Sequence, residues 1–126
     1  MKIICTICSK KKNTQTGFLP AKDRYLGDHI NTASNISQKQ KCEFFILSGK
    51  YGLIHAQEPI PYYDYLLTDD AADKLTEKVG AQIKENNITE IIFYTENNPN
   101  WKPYEKVITS ASEKLQVSLR VQNLPT

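Results

Sequence analysis

Nothing in this chain gives it a strong overall charge. Sixteen Lys and Arg stand against fourteen Asp and Glu, a formal net charge of +2, which excludes gripping nucleic acid by charge alone and leaves any basic contact to be local. Long apolar runs are also missing. The opening Met1-Lys2-Ile3-Ile4-Cys5-Thr6-Ile7-Cys8 reaches Lys10-Lys11-Lys12 too soon to serve as a signal peptide, and no other stretch is long enough to cross a bilayer. Cysteine is scarce. Three, an odd number, in a chain without a secretion signal point to reduced thiols in the cytoplasm, so the Asn-x-Ser/Thr matches at Asn35 and Asn87 carry no meaning.

Several familiar chemistries are absent as well. Gly49-Lys50 is not a phosphate-binding P-loop, because Phe44 stands where that motif needs glycine and Tyr51 where it needs Ser or Thr. Cys5-Thr6-Ile7-Cys8 lies in a predicted strand, where residues three apart point to opposite faces, so no metal site and no cofactor are expected. The two histidines, His29 and His55, lack the Ser or Cys partner pattern of a triad. His29 reads as a boundary residue, and His55, just after a glycine loop, is kept as a candidate acid.

What is present is a repeating alternation. At 126 residues the chain suits a single domain with one real core. Lys2 to Cys8 is β-branched and apolar on successive residues, the pattern of a central strand covered on both faces. Helical spacing follows from Pro20 to about Lys41, then a strand at Cys42 to Ser48 and a long Pro- and Tyr-rich connection to about Leu67. Thr68 caps a helix with Ala72, Leu75, Val79 and Ile83 on one stripe, ended by Asn86-Asn87. A strand at Glu90 to Tyr94, a helix from Trp101 to about Lys114 and a strand at Gln116 to Val121 complete the series. The order predicts an α/β fold of the three-layer, Rossmann-like kind: a four-stranded, mostly parallel sheet with helices on both faces.

In such a sheet ligands bind beyond the carboxyl ends of the strands. This gathers Ser9 and Lys10 after the first strand, Ser48 to Gly52 after the second and Thr95 to Asn98 after the third. The stiff Pro59-Ile60-Pro61 leads Asp64 back across the same edge. Two glycines bracket Lys50 and Tyr51 at the end of an apolar run, a junction that suits chemistry but also suits an ordinary strand-to-loop turn. Cys8-Ser9-Lys10-Lys11, Pro20-Ala21-Lys22-Asp23-Arg24-Tyr25, Leu47-Ser48-Gly49-Lys50-Tyr51-Gly52-Leu53-Ile54 and Pro61-Tyr62-Tyr63-Asp64 together resemble the DUF6884-type domain. That family's core reads Leu-Ser-Ala-Lys-Tyr-Gly-Leu followed by Pro-Tyr-Asp, and it is similar to YaaA-like peroxide stress proteins and, more remotely, to the uracil-DNA glycosylase-like fold. The likeness covers the first half of the chain. Gly49 stands in place of the alanine, and the extra tyrosine leaves open which of Tyr62 and Tyr63 faces the site. The resemblance implies a three-layer α/β fold with its site at these loops.

Two function classes follow. One is an enzyme directed at a nucleobase, nucleotide or nucleic acid, hydrolysing or exchanging an N-glycosidic bond, with Asp64 stabilising a cationic sugar and Ser48 and His55 as further catalytic candidates. Ser9, Lys10 and Lys50 would hold phosphate, and Tyr51 or Tyr62 would stack on the base beside the permissive Gly52. The other is a non-catalytic nucleotide or nucleic-acid binding module using the same lysines and tyrosines.

Overall fold

The computed structural model describes residues 1–125. Strand β1 (Lys2–Ile7) is the centre of a five-stranded sheet. Its Ile3, Ile4, Cys5, Thr6 and Ile7 are all buried, as the unbroken β-branched run predicts. After a two-residue strand β2 (Leu19–Pro20) come helices α1 (Ala21–Arg24) and α2 (Asp28–Gln40), then β3 (Glu43–Ser48), β4 (Gly52–His55) and β5 (Pro59–Ile60). Helix α3 (Asp69–Glu85), β6 (Glu90–Thr95), a 3-10 turn (Pro99–Trp101), α4 (Lys102–Leu115) and β7 (Ser118–Asn123) follow.

The sheet order is β4-β3-β1-β6-β7. β1 pairs in parallel with β3 and with β6, and β6 in parallel with β7, so these four strands share a carboxyl edge. Helix α2 packs on β1 and β3, whereas α3 and α4 pack on each other. Among the described residues no helix is long and apolar enough to cross a membrane.

Four features depart from the sequence expectation, each with a local cause. The fifth strand is β4, which returns antiparallel on β3 with Ser48 opposite Gly52, so the sheet is not four-stranded. Gly52 has φ +79°, the left-handed conformation that lets the Gly49-Lys50-Tyr51 turn re-enter the sheet. The helix expected from Pro20 to Lys41 is two helices, because Tyr25 is extended (φ −88°, ψ 123°) and Gly27 starts α2. Tertiary pairing overrides the helical spacing there, with Asn13 N–H donating to Arg24 C=O and Leu26 N–H to Lys11 C=O. The long connection contains β5, which pairs antiparallel with β2.

The last strand begins at Ser118 rather than Gln116 because the preceding residues close α4. Gln116 is left-handed at φ 56°, and Val117 N–H donates to Ser112 C=O at 2.9 Å. Lys41 and Asn87 end α2 and α3 the same way, each followed by a bond from the next residue back into the last turn. Three helix ends thus use the two-bond left-handed cap without glycine, each turning directly into a strand or its approach.

Candidate functional site

At the carboxyl edge the β1, β3 and β6 loops meet the segment after β5, and a cleft of about 460 Å³ opens there. Cys8, Ser9, Lys10 and Lys12 line it from the β1 side, Glu96, Asn98 and Asn100 from the β6 side, and Asp64, Tyr65 and Leu66 close it over Trp101 and Tyr104. Asp64 therefore stands where the sequence places it, exposed on the cleft wall.

Beside the cleft lies a buried cluster of hydroxyls. Ser48 Oγ accepts the Tyr51 N–H at 3.0 Å and the Lys50 N–H at 3.2 Å, and lies 3.0 Å from the Tyr63 hydroxyl. With both its lone pairs occupied, Ser48 donates its own proton to Tyr63, whose hydroxyl shares a further hydrogen bond with that of Tyr25 at 2.5 Å. Tyr63 is thus the tyrosine of the Pro-Tyr-Tyr-Asp stretch that faces inward, while Tyr62 is 48% exposed. Tyr51 and Tyr25 both meet the Tyr63 ring edge to face. Lys12 Nζ lies 4.8 Å and Lys50 Nζ 5.5 Å from the centre of the same ring. Burial raises Tyr25, Tyr63 and Tyr104 above the usual tyrosine range, so all three act as neutral hydroxyls. Burial also raises Cys8, whose Sγ lies 3.7 Å from the Tyr104 hydroxyl, and keeps it a thiol rather than a nucleophilic thiolate.

A family model described as a family of unknown function (DUF6884) matches residues 3–125. The chain belongs to the DUF6884 family. No curated protein and no solved structure matches it. In this DUF6884 chain the Ser-Gly-Lys-Tyr-Gly stretch is the β3–β4 hairpin, and its tightness has two visible reasons. A Cβ on Gly49 would lie 3.1 Å from both Leu67 Cβ and the Tyr104 hydroxyl, and one on Gly52 would lie 2.3 Å from Gln82 Oε1. Gln82 reaches from α3 to clamp the hairpin, accepting from Leu53 N–H at 2.7 Å and donating to Tyr51 C=O at 3.0 Å.

The remaining sequence candidates divide. Lys10 lines the cleft, and Lys50 sits at the hairpin beside it. Ser9 also lines the cleft, but its hydroxyl donates to Lys11 C=O at 2.7 Å and accepts from Gly27 N–H at 3.1 Å, tying the β1 loop to the start of α2. His55 is not brought to the cleft: it lies at the far end of β4, opposite Phe45, with its ring on the Glu43 carboxylate at 2.5 Å. Arg24, in the Pro20–Tyr25 block that carries the family resemblance, is wholly buried and donates to the carbonyls of Asn13, Gln15, Gly17 and Ile60. It orders the lysine loop rather than meeting a ligand. All three cysteines are free, and among the described residues no group of three or more His, Cys, Asp or Glu is arranged to hold a metal.

The Glu96 and Asn98 of the third strand's loop line the cleft as the sequence predicts, whereas sequence reasoning missed His29, Trp101 and Tyr104 as cleft residues. His29 Nε2 donates to Ile7 C=O at 2.9 Å, and its ring meets Trp101 edge to face at 4.9 Å. Burial lowers its pKa below the ordinary 6.5, opposed by the Ile7 and Cys8 carbonyls and by Glu96 and Asp28. The ring is therefore neutral at pH 7, with Nδ1 left as an acceptor. Trp101 and Tyr104 read in sequence only as part of the helix from Trp101 to about Lys114.

Proposed function

We propose that this DUF6884 chain is a nucleobase- or nucleotide-directed protein of three-layer, Rossmann-like architecture, acting on an N-glycosidic bond. The observation that carries the reading is the position and lining of the cleft. From central β1 the chain goes to β3 on one side and then crosses back over β1 to β6 on the other, and the cleft lies at the carboxyl ends of β1 and β6, where ligands sit in open α/β sheets. Right-handed crossovers in these opposite directions put α2 on one face and α3 with α4 on the other. The kinship with YaaA-like proteins and with the uracil-DNA glycosylase-like fold belongs to this same reading, as does a reducing cytoplasmic setting for the free thiols.

The lining suits the chemistry. Trp101, Tyr104 and Tyr65 supply aromatic surface for a base, and Lys10 and Lys12 supply cations for phosphate. Hydrolysis breaks the bond from the sugar carbon to the base nitrogen while water adds its oxygen to that carbon. The base leaves carrying a proton, and positive charge grows on the sugar as the bond breaks. Asp64, with Glu96 across the cleft, stabilises that charge, and neutral His29 accepts the proton of the attacking water and passes it to the departing base, which returns the ring to its neutral form. Ser48, Tyr51, Gly52 and Tyr63 hold the wall, and Lys50 flanks it.

The alternative is a non-catalytic nucleotide or nucleic-acid binding module, favoured by the absence of any activated nucleophile in the tyrosine cluster. One experiment separates the two. Nucleosides, nucleotides and short oligonucleotides are incubated with wild type and Asp64→Asn, free base is quantified by chromatography, and binding and melting are measured on the same samples. The enzyme reading expects base release that falls in Asp64→Asn while melting and affinity hold. Binding without release leaves the module, and no binding to any of the three ligand classes ends both.

A further inference from the structure

A second, shallower groove of about 190 Å³ lies beside the first, and Tyr65 lines both. Its cations are Lys50 from the hairpin and Lys74 and Lys78 from α3, and no acidic side chain lines it. Lys74 and Lys78 are four apart on a helix and so share a face. Among the described residues none of the three is in an ion pair, the recorded pairs being His55 with Glu43 and Lys102 with Glu105. Three cations outside any ion pair line one groove in a chain of net charge +2, and an anion passing along that groove meets all three.

We infer that the cleft takes a base belonging to a single-stranded polynucleotide, whose backbone passes Tyr65 and runs over Lys50, Lys74 and Lys78. This rests on the nucleobase reading of the cleft and deepens it. A nucleoside monophosphate carries one phosphate group, which Lys10 and Lys12 at the cleft already serve; in a strand, the cations beyond Tyr65 meet the phosphates of neighbouring nucleotides. The divide between the grooves is apolar and open, with Tyr65 42% and Leu66 71% exposed. An aromatic face with an aliphatic neighbour between two sets of cations is the arrangement that holds unpaired bases by stacking while lysines follow the backbone. A single strand fits because a base must be unstacked and unpaired to enter the cleft.

The test compares a mixed-sequence single-stranded hexanucleotide, the same backbone without bases, and the four mononucleotides, on wild type and on Lys74→Gln/Lys78→Gln. Both lysines are exposed, so the variant keeps its fold. Each single-strand phosphate contact contributes about 0.7 to the slope of log affinity against log salt, so losing two lowers the slope by about 1.4 and the affinity at about 0.1 M salt by about 25-fold. The inference expects that loss for the hexanucleotide, no change for mononucleotides, and weaker binding of the baseless backbone. Equal affinity of wild type for hexanucleotide and mononucleotide, an unchanged slope in the variant, or equal binding of the baseless backbone overturns it while leaving the cleft reading standing. Failure of wild type to bind mononucleotides and hexanucleotide alike overturns both.

Discussion

Substituting Gly52 by alanine tests whether the hairpin is built the way its geometry indicates. Gly52 sits at φ +79°, where a non-glycine residue costs about 1–2 kcal/mol. The new Cβ would also stand 2.3 Å from Gln82 Oε1 and displace the amide that bonds Leu53 N–H and Tyr51 C=O. Each lost bond adds about 1 kcal/mol, so Gly52→Ala is expected to cost about 3–4 kcal/mol in urea unfolding. Gln82→Ala alone loses the same two bonds, about 2 kcal/mol. In the double variant the clash has no partner and the bonds are lost only once, so the total falls about 2 kcal/mol short of the sum of the singles. Additivity within about 0.5 kcal/mol would refute the clamp, and a cost for Gly52→Ala below about 1 kcal/mol would refute the strain.

Three further outcomes are expected. Tyr63→Phe removes the hydroxyl between buried Ser48 and Tyr25 and should cost about 1–3 kcal/mol, whereas Tyr62→Phe should stay within about 0.5; equal midpoints would dissolve the proposed hydroxyl chain. Gln116→Gly should raise stability by about 1 kcal/mol, since glycine takes the left-handed cap at φ 56° without the steric cost, and a lower melting temperature would contradict that. For His29 the folded pKa lies below the ordinary 6.5, so the unfolded chain binds the proton first and stability, full above that pH, falls as pH drops toward the folded value. His29→Gln should flatten this decline, and identical pH–melting curves would exclude His29 as its source.

The three central strands were legible because they write themselves as unbroken apolar runs: Ile3 to Ile7, Phe44 to Leu47 and Ile91 to Tyr94 are all buried. Those runs put Ser9, Lys10 and the glycine hairpin near one edge, and the stiff Pro59-Ile60-Pro61 returns Asp64 to it. What stayed hidden was set by contacts between distant residues. Gly52-Leu53-Ile54-His55 is too short to declare itself a strand until Phe45 and Gln82 are seen beside it. Arg24 looks like any surface cation until four carbonyls of the β1 loop and β5 surround it. Trp101 and His29 fit their helical patterns so well that nothing local marks them as facing a cleft; only the β1–β6 pairing brings their loops together. The choice between Tyr62 and Tyr63 likewise needed the partner, Ser48, rather than the spacing.

The central claim is that the cleft over Trp101 takes a nucleobase, and the chain contains a single tryptophan. Selective excitation of that indole during titration with nucleosides and nucleotides therefore reports on the cleft alone. The account predicts saturable quenching by at least one base, since a base in the cleft comes against the indole that lines it, and predicts that ribose phosphate without a base produces none. Tryptophan emission unchanged by every nucleoside and nucleotide, or quenched equally by ribose phosphate, would contradict it.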